Sequence, residues 1–197
     1  MKKTDPKVAR VAKYIIGVDE VGRGALAGPV CSVAVAIKVN EIIPFKINDS
    51  KKLSKKRIET LAPLIMQRYR YGIGFVSPQT IDKINILQAT LLSMQLAVKR
   101  LQINHYDSIN ILVDGNKLPS FDHPAQCIVK GDQQEESIML ASILAKYIRD
   151  SYMQRMHHFY SMYNFTQHVG YPTTAHKDAI KKHGYSPIHR LSFQLKR

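Results

Sequence analysis

An α/β fold is predicted for this chain from three observations. Short β-prone runs alternate with longer stretches of helical apolar spacing, strand and helix succeed each other in the order typical of that class, and no break in composition marks a second domain. With 197 residues and 45% hydrophobic content, the chain is long enough for one well-buried core. We therefore expect one domain over residues 1–197, with residues from about 155 onward forming an extension.

The elements follow in order. Residues 14–18 form a β-prone run that ends in Asp19-Glu20, and a second apolar run spans 29–39. Asn48-Asp49-Ser50 is a cap-like start for a basic helix over 51–68, in which Leu53, Ile58, Leu61 and Ile65 keep helical spacing. A strand is expected over 69–76, a long amphipathic helix over 81–101, and two short buried strands over 109–113 and 125–129. Residues 135–157 are again helical. The last forty residues are polar, rich in His, Lys and Tyr, and interrupted at Gly170, Pro172, Gly184 and Pro187. They read as a surface attachment that carries contacts rather than core.

Charge narrows the function. The chain has 29 Lys and Arg against 15 Asp and Glu, a formal net charge of +14 spread along its length, which suits a polyanionic partner. Cys31 and Cys127 lie far apart in apolar stretches, so two buried thiols in a reduced compartment are expected rather than a zinc cluster or a disulfide framework. No segment has the length of a membrane span and the N-terminus is basic and polar, which predicts a soluble cytoplasmic protein without a membrane partner. The adjacent His157 and His158 have no partners at zinc-ligand spacing.

In so basic a chain the informative acids are those that abut apolar runs. Asp19 and Glu20 close the first strand and Asp114, in Asp114-Gly115-Asn116, closes a later one. If those strands are neighbours, the three carboxylates converge at one sheet edge and call for a divalent cation. Successive strand residues face opposite sides, so the chain is expected to leave the strand at Asp19-Glu20, with Gly22 and Gly24 permitting the turn. The same pair also reads as a polar turn. Asp132, in Asp132-Gln133-Gln134-Glu135, reads locally as a helix cap with its reciprocal acid, and Asp150 sits beside Lys146 and Arg149 as in ordinary helix-surface pairing.

Taken together, these segments resemble the ribonuclease HII family. The resemblance is carried by Gly17-Val18-Asp19-Glu20-Val21-Gly22-Arg23-Gly24, Ala27-Gly28-Pro29-Val30, Asp49-Ser50-Lys51-Lys52-Leu53-Ser54 and Val113-Asp114-Gly115-Asn116. It continues in Lys130-Gly131-Asp132, the stretch 141–150, Gly170-Tyr171-Pro172-Thr173 with His176, and Pro187-Ile188-His189-Arg190. One departure is Val169, where the family pattern carries a basic residue before the glycine.

The resemblance implies a ribonuclease H-like fold, a mixed central sheet flanked by helices, with a small helical C-terminal extension that helps to hold a duplex. It implies metal-binding carboxylates at Asp19, Glu20, Asp114 and Asp132, the last overriding the cap reading, and a supporting role for Asp150. It assigns recognition of the ribose 2′-hydroxyl to Gly22, Arg23 and Gly24, and packing on a neighbouring sugar to Tyr171. Lys51 and Lys52 are expected phosphate contacts, and His189 is expected to support the fold.

The implied activity is hydrolysis of the RNA strand of RNA–DNA hybrids, and cleavage 5′ to single ribonucleotides in duplex DNA, leaving 3′-hydroxyl and 5′-phosphate ends. Two Mg²⁺ or Mn²⁺ ions are the implied cofactors, and a monomer is expected, with any sliding-clamp partner left open. The alternatives are a non-catalytic basic nucleic-acid-binding protein and a structure-specific DNA nuclease of a related fold.

Overall fold

Five strands form one mixed sheet in a computed structural model that describes residues 12–45, 53–103 and 108–193. The strands are β1 (Tyr14–Val21), β2 (Val30–Lys38), β3 (Arg70–Val76), β4 (Ile109–Asp114) and β5 (Ala125–Ile128), in the spatial order β3-β2-β1-β4-β5. The β1–β2 and β2–β3 pairs are antiparallel, whereas β1–β4 and β4–β5 are parallel. The central strands therefore bury both faces. Val33, Val35 and Ile37 pack with α1 (Lys55–Arg68) and α3 (Glu136–Phe159), while Ala34, Ala36, Ile16 and Val18 pack with α2 (Pro78–Lys99).

Local chemistry sets the element ends. Ser54 caps α1 by accepting from the Arg57 N–H at 3.2 Å, so the expected start at 48–50, which lies outside the described residues, is replaced by a cap closer to the first buried residue, Ile58. Ser77 caps α2 in the same manner, and Asn85 interrupts that helix with φ 65° while its side chain accepts from the Gln88 N–H. At Gly17 a Cβ would fall 2.1 Å from the Ser137 carbonyl carbon, so glycine there lets α3 lie directly on β1.

Three expectations need correction. β1 does not end before Asp19-Glu20: it stays paired with β2 through Val21, and the turn begins at Gly22, where φ is 89°. β5 is an edge strand and only partly covered, so Cys127 is partly exposed although Cys31 is buried. The C-terminal region is also more than a surface attachment. Its helices α4 (Phe165–His168) and α5 (Thr174–His183) bury Tyr163, Phe165, His168, His176, Ile180, His189 and Arg190.

Candidate active site

Strand register brings the acids together. In the parallel β1–β4 pair, Gly17 lies beside Leu112 and Val18 beside Val113, so Asp19 and Asp114 stand at the same level, just past the point where the β1–β4 pairing stops. Ile16, Val18, Ile111 and Val113 point to the α2 face, and alternation turns both aspartates toward α3. Glu20 comes next, beyond the last β1–β4 pair, where no strand flanks it on that side. Both neighbours in sequence can thus reach one site without a break in the strand. Asp19, Glu20 and Asp114 line a cavity of about 440 Å³ together with Ser142 and Lys146 of α3.

The cavity strains its carboxylates electrostatically. Asp19 Oδ1 accepts from the Glu20 N–H at 2.7 Å and the carboxylate is also hydrogen-bonded by Ser142, yet burial pushes its pKa up to about 8, with Glu20 and Asp114 adding to the effect. Burial likewise raises the pKa of Glu20, opposed by Arg23, whose Nη1 donates to Oε1 at 3.2 Å. Glu20 Oε2 is buried and takes no hydrogen bond. A buried, unsatisfied carboxylate oxygen in a cavity lined by two other acids is the environment that a cation would relieve.

Asp132 lies next to this group rather than on its wall. Asp114 Oδ1 accepts from the Gly131 N–H at 2.7 Å, and Asp132 follows, fully buried in the 3₁₀ turn Gly131–Gln133. It is not the cap of α3, because the cap position is Glu135, which makes no side-chain cap hydrogen bond. Asp150 pairs with Lys146 at 2.8 Å and lines an adjoining cavity that shares Leu53, Ile58 and Lys146 with the first. Among the described residues no three His, Cys, Asp or Glu groups form a ready-made metal cage. An open carboxylate wall still fits Mg²⁺ or Mn²⁺, because Mg²⁺ commonly keeps waters and takes substrate oxygens to complete its shell.

Beyond β1 the chain turns through Gly22, and Arg23 and Gly24 are exposed. Tyr171 is partly exposed, with its ring 5.4 Å from the Arg149 guanidinium. Lys51 and Lys52 lie outside the described residues.

Comparison with known proteins decides the family. A family model described as ribonuclease HII matches residues 16–196. The chain belongs to the ribonuclease HII family. It is 47% identical to the ribonuclease HII of Dechloromonas aromatica (strain RCB), an alignment that covers 95% of this chain and 94% of that one. Its fold is that of ribonuclease H2 from Pyrococcus horikoshii OT3, with a TM-score of 0.76 at 24% identity over 92% of this chain and 94% of that one. It is also that of Bst-RNase HIII in complex with Mn²⁺, with a TM-score of 0.73 at 20% identity over 93% of this chain and 68% of that one. Membership makes the chain an endoribonuclease of the ribonuclease H class, a metal-dependent enzyme.

Several residues around this ribonuclease HII site escaped sequence reasoning. Ser142 and Lys146 stand one helical turn apart on α3 and face the cavity, a spacing visible in the sequence but not distinguishable from any other i, i+4 pair. Arg149, expected on the helix surface, is fully buried, as is Arg190. His168, His176 and His189 form a buried stack, with ring centroids 4.4 Å apart for the first two and 5.2 Å for the last two. Their wide spacing in sequence gave no sign of it.

Proposed function

We propose that this chain hydrolyses the RNA strand of RNA–DNA hybrids and cuts 5′ to single ribonucleotides embedded in duplex DNA, leaving 3′-hydroxyl and 5′-phosphate ends. The observation that carries the reading is the junction of β1 and β4, which delivers three carboxylates, one with an unbonded buried oxygen, to a cavity beside an exposed glycine-bearing turn.

Asp19, Glu20 and Asp114, with Asp132 beside them, are the residues that would hold two Mg²⁺ or Mn²⁺ ions. Such ions supply an activated water and stabilise the leaving 3′-oxygen. The chain's own residues do the rest. Ser142 and the Glu20 N–H fix the Asp19 carboxylate, the Gly131 N–H fixes Asp114, and Arg23 fixes one oxygen of Glu20. Lys146 brings positive charge to the same wall, where a scissile phosphate has to approach three acids. The overall charge of +14 draws the duplex in without regard to sequence.

Substrate choice is assigned to Gly22, Arg23 and Gly24 as readers of the 2′-hydroxyl and to Tyr171 as the surface that packs on a neighbouring sugar. Lys51 and Lys52 are assigned to phosphates. Residues 1–197 act as a single catalytic domain in this reading, with 155–197 as the extension that holds the duplex, and the enzyme works as a cytoplasmic monomer. No helix of the described residues is long and apolar enough to cross a membrane.

The test is incubation with a duplex that carries one ribonucleotide and with its all-DNA counterpart, in Mg²⁺, in Mn²⁺ and in EDTA. Cleavage confined to the ribonucleotide duplex and abolished by EDTA is expected. Cutting of the all-DNA duplex would make it a DNA nuclease, and binding without any cleavage would make it a nucleic-acid-binding protein.

A further inference from the structure

Two arginines are buried beneath the turn that follows β1. Arg149 of α3 donates from Nε to the Pro29 carbonyl, from Nη1 to that of Val169 and from Nη2 to that of Ala27, each at 3.0 Å. Arg190 donates from Nε to the Gly28 carbonyl at 3.0 Å, from Nη1 to that of Arg23 at 2.8 Å and from Nη2 to that of Gly22 at 2.7 Å. All six bonds go to main-chain carbonyls, five of them within residues 22–29. Burial lowers the pKa of Arg190 to about 9, with Arg149 nearby adding to the effect, and also lowers that of Arg149. Two guanidinium groups held in the interior against main-chain dipoles are costly, and the structure is shaped to accept them. A Cβ on Gly22 would lie 2.1 Å from Arg149 Nε.

The consequence follows from peptide geometry. A trans peptide unit is planar, and its C=O and N–H point in opposite directions. With the carbonyls of Gly22 and Arg23 drawn inward to Arg190, the N–H groups of Arg23 and Gly24 are turned outward along the exposed edge. Neither N–H is taken by another group among the described residues. Arg149 adds a second link, since it holds the Val169 carbonyl and stacks 5.4 Å from the Tyr171 ring while bonding the same turn.

We propose that Arg149 and Arg190 are positioning residues that set selectivity for a ribonucleotide. Arg190 holds two carbonyls inward so that the Arg23 and Gly24 N–H groups face a 2′-hydroxyl oxygen, and Arg149 fixes Tyr171 relative to that edge. This inference rests on the assignment of 22–24 as the 2′-hydroxyl reader, made above.

The test measures binding in an Asp114→Asn background with Mg²⁺, using two duplexes that differ only in one ribonucleotide against one deoxyribonucleotide. The parent protein is expected to prefer the ribonucleotide duplex by roughly tenfold, the scale of one or two directed hydrogen bonds. Arg190→Lys and Arg149→Lys should lose most of that preference, because one ammonium cannot serve three carbonyls in a fixed fork, while affinity for the all-DNA duplex stays within about twofold.

A merely structural role would weaken both affinities in proportion to the folded fraction and leave their ratio unchanged, which would overturn the proposal. Retained preference in both variants would also overturn it. A parent that shows no preference would instead sink the underlying assignment of 22–24. Should thermal melts show that neither lysine variant folds, Asp82→Ala carries the test. The partly exposed Asp82 carboxylate accepts from the Leu191 and Ser192 N–H groups at 2.9 Å and anchors the segment that bears Arg190. A smaller loss of preference in that variant is the supporting result, and an unchanged ratio is the opposing one.

Discussion

The Nε2 atoms of His176 and His189 face each other at 3.1 Å, and the surrounding hydrogen bonds admit one arrangement of protons. His189 Nδ1 accepts from the Ser186 N–H at 2.9 Å, so its proton sits on Nε2 and is donated to His176. The His176 proton is then on Nδ1, where it is donated to the Tyr171 carbonyl at 2.9 Å. His168 is fixed in the same way, accepting from the Gly170 N–H at Nδ1 and donating to the Tyr163 carbonyl from Nε2. All three rings are neutral, and the chain ends on the backbone of the residue assigned to substrate choice.

Acid should therefore unlock this region first. Burial lowers the pKa of His176 and of His189 to about 4, reinforced at His176 by the neighbouring His168 ring and at His189 by His176 and His168. A folded pKa below the unfolded value of about 6.5 means that the stabilisation is complete above pH 6.5 and is lost as pH falls through about 4. The slope is up to about 1.4 kcal/mol per pH unit for each extra proton taken up by the unfolded chain. Melting temperature measured from pH 7 to 4.5 should fall less steeply in His176→Asn than in the natural sequence. Identical slopes would place the acid-sensitive groups elsewhere.

Asp19 predicts the opposite pH dependence. Its folded pKa of about 8 lies above the usual carboxylate value, so its contribution to stability is full below about pH 3.8 and is lost as pH rises through 8. In EDTA at pH 8, Asp19→Asn should be more stable by roughly 1–3 kcal/mol, the scale of relieving a buried carboxylate charge that faces Glu20 and Asp114, or several degrees in Tm for a chain of this size. The gain should shrink toward pH 4 and on addition of Mg²⁺. A destabilised Asn variant in EDTA would mean that Asp19 is satisfied in the absence of a cation.

Asp132 and Asp150 should part company. Asp132 follows the Gly131 N–H that fixes Asp114 and is fully buried beside the carboxylates, so Asp132→Asn is expected to abolish cleavage. The Asp150 side chain is only 17% exposed and pairs through Oδ2 with the partly exposed Lys146, an ion pair worth on the order of 1 kcal/mol. Asp150→Asn should lower Tm modestly and keep most activity. Loss of cleavage in Asp150→Asn with an unchanged melt, beside an active Asp132→Asn, would show the two roles exchanged.

Local patterns were legible where chemistry is local. The β3, α2 and β4 spans lie within a few residues of their expected bounds, because period-two and helical apolar spacing report burial directly. The acids at the ends of β1 and β4 were also readable, since a carboxylate that closes an apolar run is conspicuous in a chain with so few acids. What the sequence could not reveal depends on tertiary contacts. Arg149 occupies an ordinary position in a helix, and only the approach of the 22–29 turn, Val169 and Tyr171 makes it an interior cation. The continuation of β1 through Val21 was not legible, because period-two alternation alone puts Asp19 and Glu20 on opposite faces, and only the register shows that β4 pairing stops at Val18 and leaves Glu20 unflanked on that side.

Tyr171 offers the sharpest test of substrate choice because its backbone and ring are held separately. Its N–H donates to the His168 carbonyl at 2.8 Å, and its own carbonyl accepts from the Thr173 N–H at 2.8 Å and from His176 Nδ1 at 2.9 Å. Truncating the side chain therefore leaves the turn in place and removes the ring alone. Tyr171→Phe keeps the flat surface over Arg149 and should retain most activity on a single ribonucleotide in DNA. Tyr171→Ala should lose on the order of 1–3 kcal/mol of stabilisation, the value of aromatic stacking on nucleic acids. That corresponds to roughly tenfold to a hundredfold in kcat/KM. The loss should be larger for the single-ribonucleotide duplex than for a continuous RNA–DNA hybrid, since only the former places every cut at a junction. Equal losses on both substrates would make Tyr171 a general positioning residue, and an unaffected alanine variant would remove it from recognition altogether.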